Sequence, residues 1–461
     1  MPDGACDRGT GFAFPDPVRA RRPDDSKLEF THCYEPERST AMKVRIVILA
    51  SLAIITGAAS AKAQQEVKIG VLNPLSGPTA QIGIDAVAAI RTAAEIVNEG
   101  ADLPLALAGN KGLRGLGGAK VILVVVDHQG KPEVGQSETE RLITQEKVHA
   151  LIGAYFSSVT AAASQAAERA GIPFVNADST QPALTQRGLK YFFRTTPTDE
   201  NFSELMFDFL KDFGAKSGQS FQSVSLFHED TAYGTDSARV QERLAKERGF
   251  RVLENIAYKA QTTSLTAEVQ RLKAANADVL LPPSYTSDTF LLLRTARDLD
   301  YNPRLIVAQN AGFTDPTFIS TMGKDAEGAI TRSPYNADLE SRIPLLPKIN
   351  AIFRKHSNGR DLSDVPARNF TGIMTLLDAI NRAGSTDPEK IRAALAATDI
   401  APDQLIVPYR GVRFNAAGQN ELVRGILMQV QKGKYCTIYP FELASCQVLY
   451  PIPTWADKAK M

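Results

Sequence analysis

The chain is short of the residues and motifs on which catalysis and metal binding usually rest. Its five histidines (His32, His128, His149, His228, His356) are scattered. None belongs to an H-E-x-x-H pair, so a zinc-hydrolase site is not expected. The phosphate-loop pattern G-x-x-x-x-G-K-[ST] is missing, and so is the G-x-S-x-G elbow of hydrolases. Where a dinucleotide fingerprint would follow the first strand, the chain instead reads Asn73-Pro74-Leu75-Ser76-Gly77-Pro78. Ser157 and Ser158 have no histidine near them in sequence. The formal net charge is only +1, which leaves no electrostatic footprint for nucleic acid and no acidic tail. These absences predict no catalytic residue, no metal and no cofactor, and they favour a binding protein over an enzyme.

Cysteine is sparse as well: four residues, in two groups. Cys6 and Cys33 lie upstream of a segment, 42–63, with the layout of a secretory signal. Lys43 and Arg45 supply its positive start, 46–59 its apolar centre, and Ala61-Lys62-Ala63 a small-x-small cleavage form. The apolar run is too short to span a membrane with ease. Residues 1–41 are rich in Pro, Arg and Asp and show no periodicity. They read as a disordered upstream extension, with Met42 as the natural start. An export signal implies an oxidising compartment, outside the cytoplasm and cleaved near Ala63. Cys436 and Cys446 are then the only pair left downstream, and a disulfide between them is expected ahead of two free thiols.

What the chain does have is an ordinary globular balance, 44% hydrophobic and 22% charged, over 461 residues, enough for two or more domains. Apolar runs and helical patterns alternate at βαβ spacing. Strands are expected at 67–72, 121–126, 148–154, 172–176 and 191–194, with helices at 81–98, 132–146 and 160–170 between them. A second series follows Thr195-Thr196-Pro197, with helices at 200–213, 237–248, 266–275 and 288–299. Its strands fall at 223–227, 252–258, 278–281 and 304–308. Later helices are expected at 347–355, 365–383 and 388–397. Residues 412–414 read as a strand, and 425–431 and 434–439 as a hairpin across Lys432-Gly433. Residues 103–118 are a glycine-containing excursion of unassigned role. The strand count exceeds one doubly wound sheet, so the fold class is α/β with two such domains.

The stretch 148–185 organises the rest. Two expected parallel strands each end in a hydroxyl-bearing turn: Phe156-Ser157-Ser158-Val159-Thr160, then Asp178-Ser179-Thr180-Gln181-Pro182. In open α/β sheets, ligands bind beyond the carboxyl ends of strands. Free backbone N–H groups at a helix start, with hydroxyls beside them, make a receptor for an anion such as a carboxylate. Ordinary helix capping would use the same residue types. In the second series, Tyr233, Tyr285 and Gln309-Asn310 also fall just past strand ends, so a ligand could be touched from both sides.

These motifs, in this order, resemble the solute-binding proteins of branched-chain amino acid ABC transporters, over about 67–454. The carrying residues are Lys68-Ile69-Gly70-Val71, Leu75-Ser76-Gly77-Pro78, Leu151-Ile152-Gly153 with Ser157-Ser158-Val159-Thr160, Gly171-Ile172-Pro173, Ser179-Thr180-Gln181-Pro182-Ala183-Leu184-Thr185, Arg194-Thr195-Thr196-Pro197 and Tyr233-Gly234. The resemblance implies the type I periplasmic binding protein fold: two Rossmann-like lobes joined by three crossover strands and closing on a ligand. Lobe one would comprise 67–195 and 335–419, and lobe two 196–334 and 420–453. It implies that Ser157, Thr180 and the backbone N–H of Ser158 hold a ligand carboxylate. The Asp178 carbonyl would face an amino group, Tyr155, Tyr233 and Tyr285 would line the cleft, and Ile82 would supply a contact.

Gln309 departs from that pattern, since the amino-acid binders of the family place an acid there to meet the ammonium. Either Asp178 or Glu229 replaces the acid, or the ligand has no α-amino group and is an aromatic or aliphatic carboxylate, an amide or a urea-like compound. The implied partners are a small carboxylate-bearing solute and membrane permease subunits, with the protein itself monomeric. A ligand sensor on the same fold is the rival reading, and a hydrolase a distant third.

Overall fold

The computed structural model describes residues 66–461. The expectations for 1–41 and 42–63, with Cys6 and Cys33, lie outside the described residues. β1 (Glu66–Asn73) pairs along its whole length with β2 (Lys120–Asp127) in parallel register. On its other side it pairs with β3 (Ala150–Gly153), which is followed by β4 (Phe174–Asn176) and β5 (Phe192–Arg194), all parallel, in the order β2-β1-β3-β4-β5. Buried short runs such as Ala150-Leu151-Ile152-Gly153 suit strands covered on both faces. The connecting helices are α1 (Ala80–Glu99), α2 (Pro132–Thr144) and α3 (Ser157–Ala170). Gly171 ends α3 in the left-handed conformation expected of a C′ glycine.

The chain then passes to a second sheet. α4 (Asp199–Ser217) opens with a capping box between Thr198 and Asn201. β6 (Ser223–Glu229), α5 (Ala232–Glu247), β7 (Arg251–Tyr258), α6 (Thr266–Ala275), β8 (Val279–Leu281) and α7 (Thr286–Asp298) follow. Next come β9 (Val307–Ala308), the short α8 (Phe318–Met322) and β10 (Ile330–Ser333). The order is β7-β6-β8, with β8 bridged in parallel to Ile306 just before β9.

The chain returns to the first lobe for α9 (Leu345–His356), α10 (Asp364–Ala383), α11 (Pro388–Ala396) and the small ladder β11 (Asp399–Ile400) with β12 (Val412–Arg413). It crosses a third time for β13 (Ile426–Gln431) and β14 (Lys434–Tyr439), which extend the second sheet beside β10 as an antiparallel hairpin. α12 (Trp455–Lys460) closes the chain. Cys436 and Cys446 are joined by a disulfide, Cα–Cα 6.0 Å.

Among the described residues three apolar clusters result, two of them the cores of the two halves and the third around Ile82, Tyr155 and Tyr285. The first gathers Val67, Ile69, Val71 and Ile152 with Ile90, Val97, Phe353, Phe370 and Leu377; the second gathers Phe207, Leu226, Leu281, Leu292, Ile330, Leu427 and Trp455. The excursion at 103–118 belongs to the first core through Leu105, Leu107, Leu113 and Leu116. It meets α10 closely: the Gly115 N–H donates to Asn381 Oδ1 at 2.8 Å, and a Cβ on Gly115 would stand 1.9 Å from the Asn381 carbonyl oxygen.

Two of the crossovers are bonded to each other. The Arg194 N–H donates to the Gly418 carbonyl at 2.7 Å, and the Asn420 N–H donates to the Arg194 carbonyl at 2.9 Å. Asn420 Nδ2 reaches the Thr195 carbonyl at 3.2 Å, and Gln419 Nε2 the Thr196 carbonyl at 3.0 Å.

Candidate functional site

β3 and β4 end side by side, and the two hydroxyl-bearing turns follow them. α3 starts at Ser157, three positions before the expected Thr160, so Phe156 is its N-cap and neither serine caps it. Ser157 is buried, whereas Ser158 is half-buried. The second turn is built by Asn176. Its Oδ1 accepts the N–H groups of Asp178 and Ser179 at 2.9 Å each, and its Nδ2 donates to the Ser179 carbonyl at 3.0 Å. The turns are tied together where Ser179 Oγ lies 2.6 Å from Thr160 Oγ1 and donates to the Tyr155 carbonyl at 2.9 Å.

Helix starts also form the opposite wall. α5 begins at Ala232, five positions before the expected start, so Tyr233 sits in its first turn rather than in a loop. Gly234 lets that turn approach β6, since a Cβ there would meet the Glu229 carbonyl oxygen at 2.3 Å. Tyr285 is the N-cap of α7. The starts of α3, α5 and α7 thus converge on one place, and each presents the positive end of its dipole.

Between the walls lies a narrow cavity of about 20 Å³. The first lobe contributes Tyr155, Ser157, Asp178, Thr180 and Arg368; the second contributes Tyr233, Tyr285, Asn310, Ala311 and Arg332. Aromatic rings from both walls meet over it. Tyr285 lies 4.6 Å from Phe156, 5.9 Å from Tyr155 and 5.1 Å from Tyr233, centroid to centroid. Three lining residues without glycine's freedom hold positive φ: Tyr155 (67°), Asn310 (73°) and Ala311 (52°). Such strain tends to gather where a binding surface over-determines the backbone.

Six of the expected site residues, Tyr155, Ser157, Asp178, Thr180, Tyr233 and Tyr285, line this cavity; Ser158, Gln309 and Ile82 do not. Ile82 is buried in the apolar cluster behind Tyr155. Gln309 turns its amide away, donating to Asp199 Oδ1 at 3.1 Å, and its backbone carbonyl accepts the Tyr233 hydroxyl. Glu229 also points elsewhere, accepting the N–H groups of Thr231 and Gly234. The Asp178 carbonyl is already engaged: Arg368 Nη1 donates to it at 2.8 Å.

Sequence reasoning passed over both cavity arginines. Arg332 and Arg368 are buried, at 1% and 3% exposure. Arg332 Nη2 lies 3.4 Å from both Thr180 Oγ1 and Asp199 Oδ1, and its guanidinium stands 3.8 Å over the Phe202 ring. Its Nε and Nη1 have no partner among the described residues. Burial pushes its pKa down from the ordinary arginine value, and the charge of Asp199 is among the opposing influences. Arg368 pairs with Asp364, four positions back on α10, while burial pushes the Asp178 carboxyl up to about 6 against the pull of Arg368 and Asn369. β10 was not foreseen, because polar Thr331, Arg332 and Ser333 break its apolar run. A lone arginine among Val365, Ala367 and Phe370 was the visible signal for the other. Among the described residues, no group of His, Cys, Asp or Glu is placed to hold a metal ion.

The chain is similar to the Leu/Ile/Val-binding protein homolog 7 of Brucella suis biovar 1, at 30% identity over 420 residues, covering 89% of this chain and all of the relative. Among solved structures it is similar to a leucine-binding protein from Thermotoga maritima, with TM-score 0.70, 24% identity, and coverage of 81% of this chain and 97% of that one. It is also similar to an ABC-transporter solute-binding protein from Rhodopseudomonas palustris in complex with 3,4-dihydroxybenzoic acid. There the TM-score is 0.67, the identity 19%, and the coverage 86% of this chain and 99% of that one. The first and second sheets, with their three passages of chain, are the two lobes and crossovers of the type I periplasmic binding protein fold. The family model for periplasmic binding proteins matches residues 66–434, and the chain belongs to that family of solute binders.

Proposed function

We propose that the protein is the extracytoplasmic solute-binding component of an ABC importer, taking up a small carboxylate-bearing ligand between its lobes. The observation that carries this is the start of α3: a buried Ser157 at a helix N-terminus, lining the same cavity as Thr180. Backbone N–H groups and hydroxyls at a helix start stabilise a carboxylate without any cofactor. Leucine and 3,4-dihydroxybenzoic acid, named for the similar structures, each carry a carboxylate. In this reading the lobes, 67–195 with 335–419 and 196–334 with 420–453, close about the crossovers. The ligand shifts an open–closed equilibrium by its preference for the closed state. The closed form is then presented to membrane permease subunits by a monomeric protein.

A thermal-shift panel of aliphatic amino acids, aromatic carboxylates and amides tests the proposal. A ligand at a hundred times its Kd stabilises by about 2.7 kcal/mol, which raises the Tm by about 3 °C in a protein of this size. A shift confined to compounds without a carboxylate would defeat the reading.

A further inference from the structure

The excursion at 103–118 walls a second pocket. It does so with α10 and the segment 399–406, and the volume is about 300 Å³. No lining residue is shared with the cavity between the lobes. The interior is apolar, with Leu105 and Leu107 from the excursion, Phe370 and Met374 from α10, and Ile400 and Ile406 from the following segment. Such walls offer water few partners and an apolar guest many contacts. Side-chain hydrogen bonds fix them in place. Gln404 Oε1 accepts the Ala106 N–H at 2.8 Å, and its Nε2 donates to the Pro104 carbonyl at 3.1 Å. Arg382 ties α10 to the turn before β11, donating from Nη1 to the Ala394 carbonyl and from Nη2 to Thr398 Oγ1, each at 2.9 Å. A preformed, largely apolar pocket with a few polar groups is the usual form of a small-molecule site.

Spacing on α10 sets the order of the lining. Phe370, Met374, Asp378 and Arg382 recur every four residues, so one stripe of the helix runs from a buried ring to a charged rim. Asp399 stands on that rim too, exposed on β11. Every nitrogen of Arg382 has a partner, the third being Asp378 Oδ2 at 2.7 Å from Nε. Asp378 Oδ1 and the Asp399 carboxylate form no hydrogen bond among the described residues. Arg413, opposite Asp399 on β12, is paired with Glu421 at 2.7 Å. Asp378, Arg382 and Asp399 together leave one negative charge on the rim, with carboxylate oxygens to spare.

We propose that this pocket is a second binding site, taking a small apolar molecule that carries a protonated amine. The hydrocarbon part packs against Leu107, Phe370 and Met374, and the ammonium meets Asp378 Oδ1 and Asp399 at the rim.

NMR of isotope-labelled methionine methyls tests it, because Met374 supplies a reporter inside the pocket; its signal is the one lost in Met374→Leu. Hexylamine is expected to move that signal saturably. Hexanol, equal in length and uncharged, is expected to bind about two- to fivefold more weakly, the worth of an exposed ion pair, and hexanoate more weakly still. Asp399→Asn is expected to shrink the difference between amine and alcohol. Ala106→Trp, at an exposed position on the excursion, is expected to abolish the response to both. Thr180→Ala, in the cleft, is expected to leave the amine titration unchanged, so the result does not depend on the solute-binding reading. If Ala106→Trp does not fold, Asp399→Asn still decides, since it alters one exposed side chain. No saturable movement with millimolar hexylamine overturns the proposal. So does an equal affinity for hexanol, or a response that Thr180→Ala abolishes.

Discussion

Arg194 Nε donates to Gln419 Oε1 at 2.6 Å, across 225 positions of sequence, and so fastens the first crossover to the third. Arg194 is fully buried and forms no ion pair with a carboxylate among the described residues. Its other donors reach the Gln181 carbonyl at 2.6 Å, the Ser179 carbonyl at 3.3 Å and Thr185 Oγ1 at 2.8 Å. Burial, helped by the charge of Arg187, lowers its pKa to about 9, with Asp199 opposing. Because its carbonyl partners belong to the loop carrying Thr180, one side chain braces both hinge and anion seat. Arg194→Met leaves those acceptors buried without donors, at about 2–4 kcal/mol. Urea unfolding is expected to show a lower midpoint, and titration a weaker ligand. A variant of unchanged midpoint would remove this bracing role.

Thr180→Ala deletes one hydroxyl from the proposed anion seat and leaves a methyl group in its place. A hydrogen bond to a charged group is worth about 1.5–3 kcal/mol, so the Kd rises about ten- to a hundredfold while Thr180→Ser retains affinity. Calorimetric titration of the ligand found in the panel is the check, and equal affinity for all three proteins would take Thr180 out of the site.

Glu229 gives the protein a pH dependence. Burial raises its carboxyl from 4.5 to about 7, against hydrogen bonds from Thr231 and Gly234. Between those two values the folded state holds a proton that the unfolded state has released. Stability therefore falls as pH rises through that window, by at most about 3 kcal/mol. Melting temperatures measured from pH 4.5 to 8 are expected to decline, and Glu229→Gln to flatten the decline. A Tm that climbs over this range in the wild type, with the same slope in the variant, would contradict the assignment.

Gly234→Ala should show how tightly the start of α5 is held. The added methyl would meet the Glu229 carbonyl oxygen at 2.3 Å, so the helix must shift. Overpacking of this kind costs about 1–3 kcal/mol. Tyr233 is the adjacent residue, so ligand affinity is expected to fall along with the urea midpoint, whereas Gly188→Ala, where open space surrounds the site, leaves affinity intact.

The Cys436–Cys446 bridge closes a short loop at the β14 edge, away from the cavity. For a loop of this length, the loss of the bridge costs about 2–3 kcal/mol. The double variant Cys436→Ser, Cys446→Ser is expected to unfold at lower urea with the Kd unchanged. A changed Kd would reveal a coupling between hairpin and cleft.

Much of the frame was legible because its signals are local. Gly171 after an alanine-rich helix, the apolar run at β2 and the Lys432-Gly433 turn each stand within a few residues of one another, and each produced the expected element. Helix starts were read late at Ser157 and Ala232, because serine and threonine at a boundary suit a cap as well as a first turn. The larger omission was electrostatic. Arg332 and Arg368 are ordinary surface residues by composition; only folding shows that β10 and α10 carry them inward, to partners far away in sequence. The fate of Gln309 was equally invisible, since nothing in its neighbours tells which way an amide will turn.

The contact between Phe156 and Tyr285 is one the protein makes with itself, 4.6 Å between ring centres. Its strength enters the closing equilibrium identically for every solute, and so multiplies all affinities by one factor while leaving their ratios alone. Gain and selectivity are thereby set at separate addresses. Substitutions of Phe156, the ring of the pair that does not line the cavity, would tune how much solute is captured at a given concentration, and those around the cavity which solute it is. A lineage could therefore retune the protein for scarcer supply without changing what it recognises.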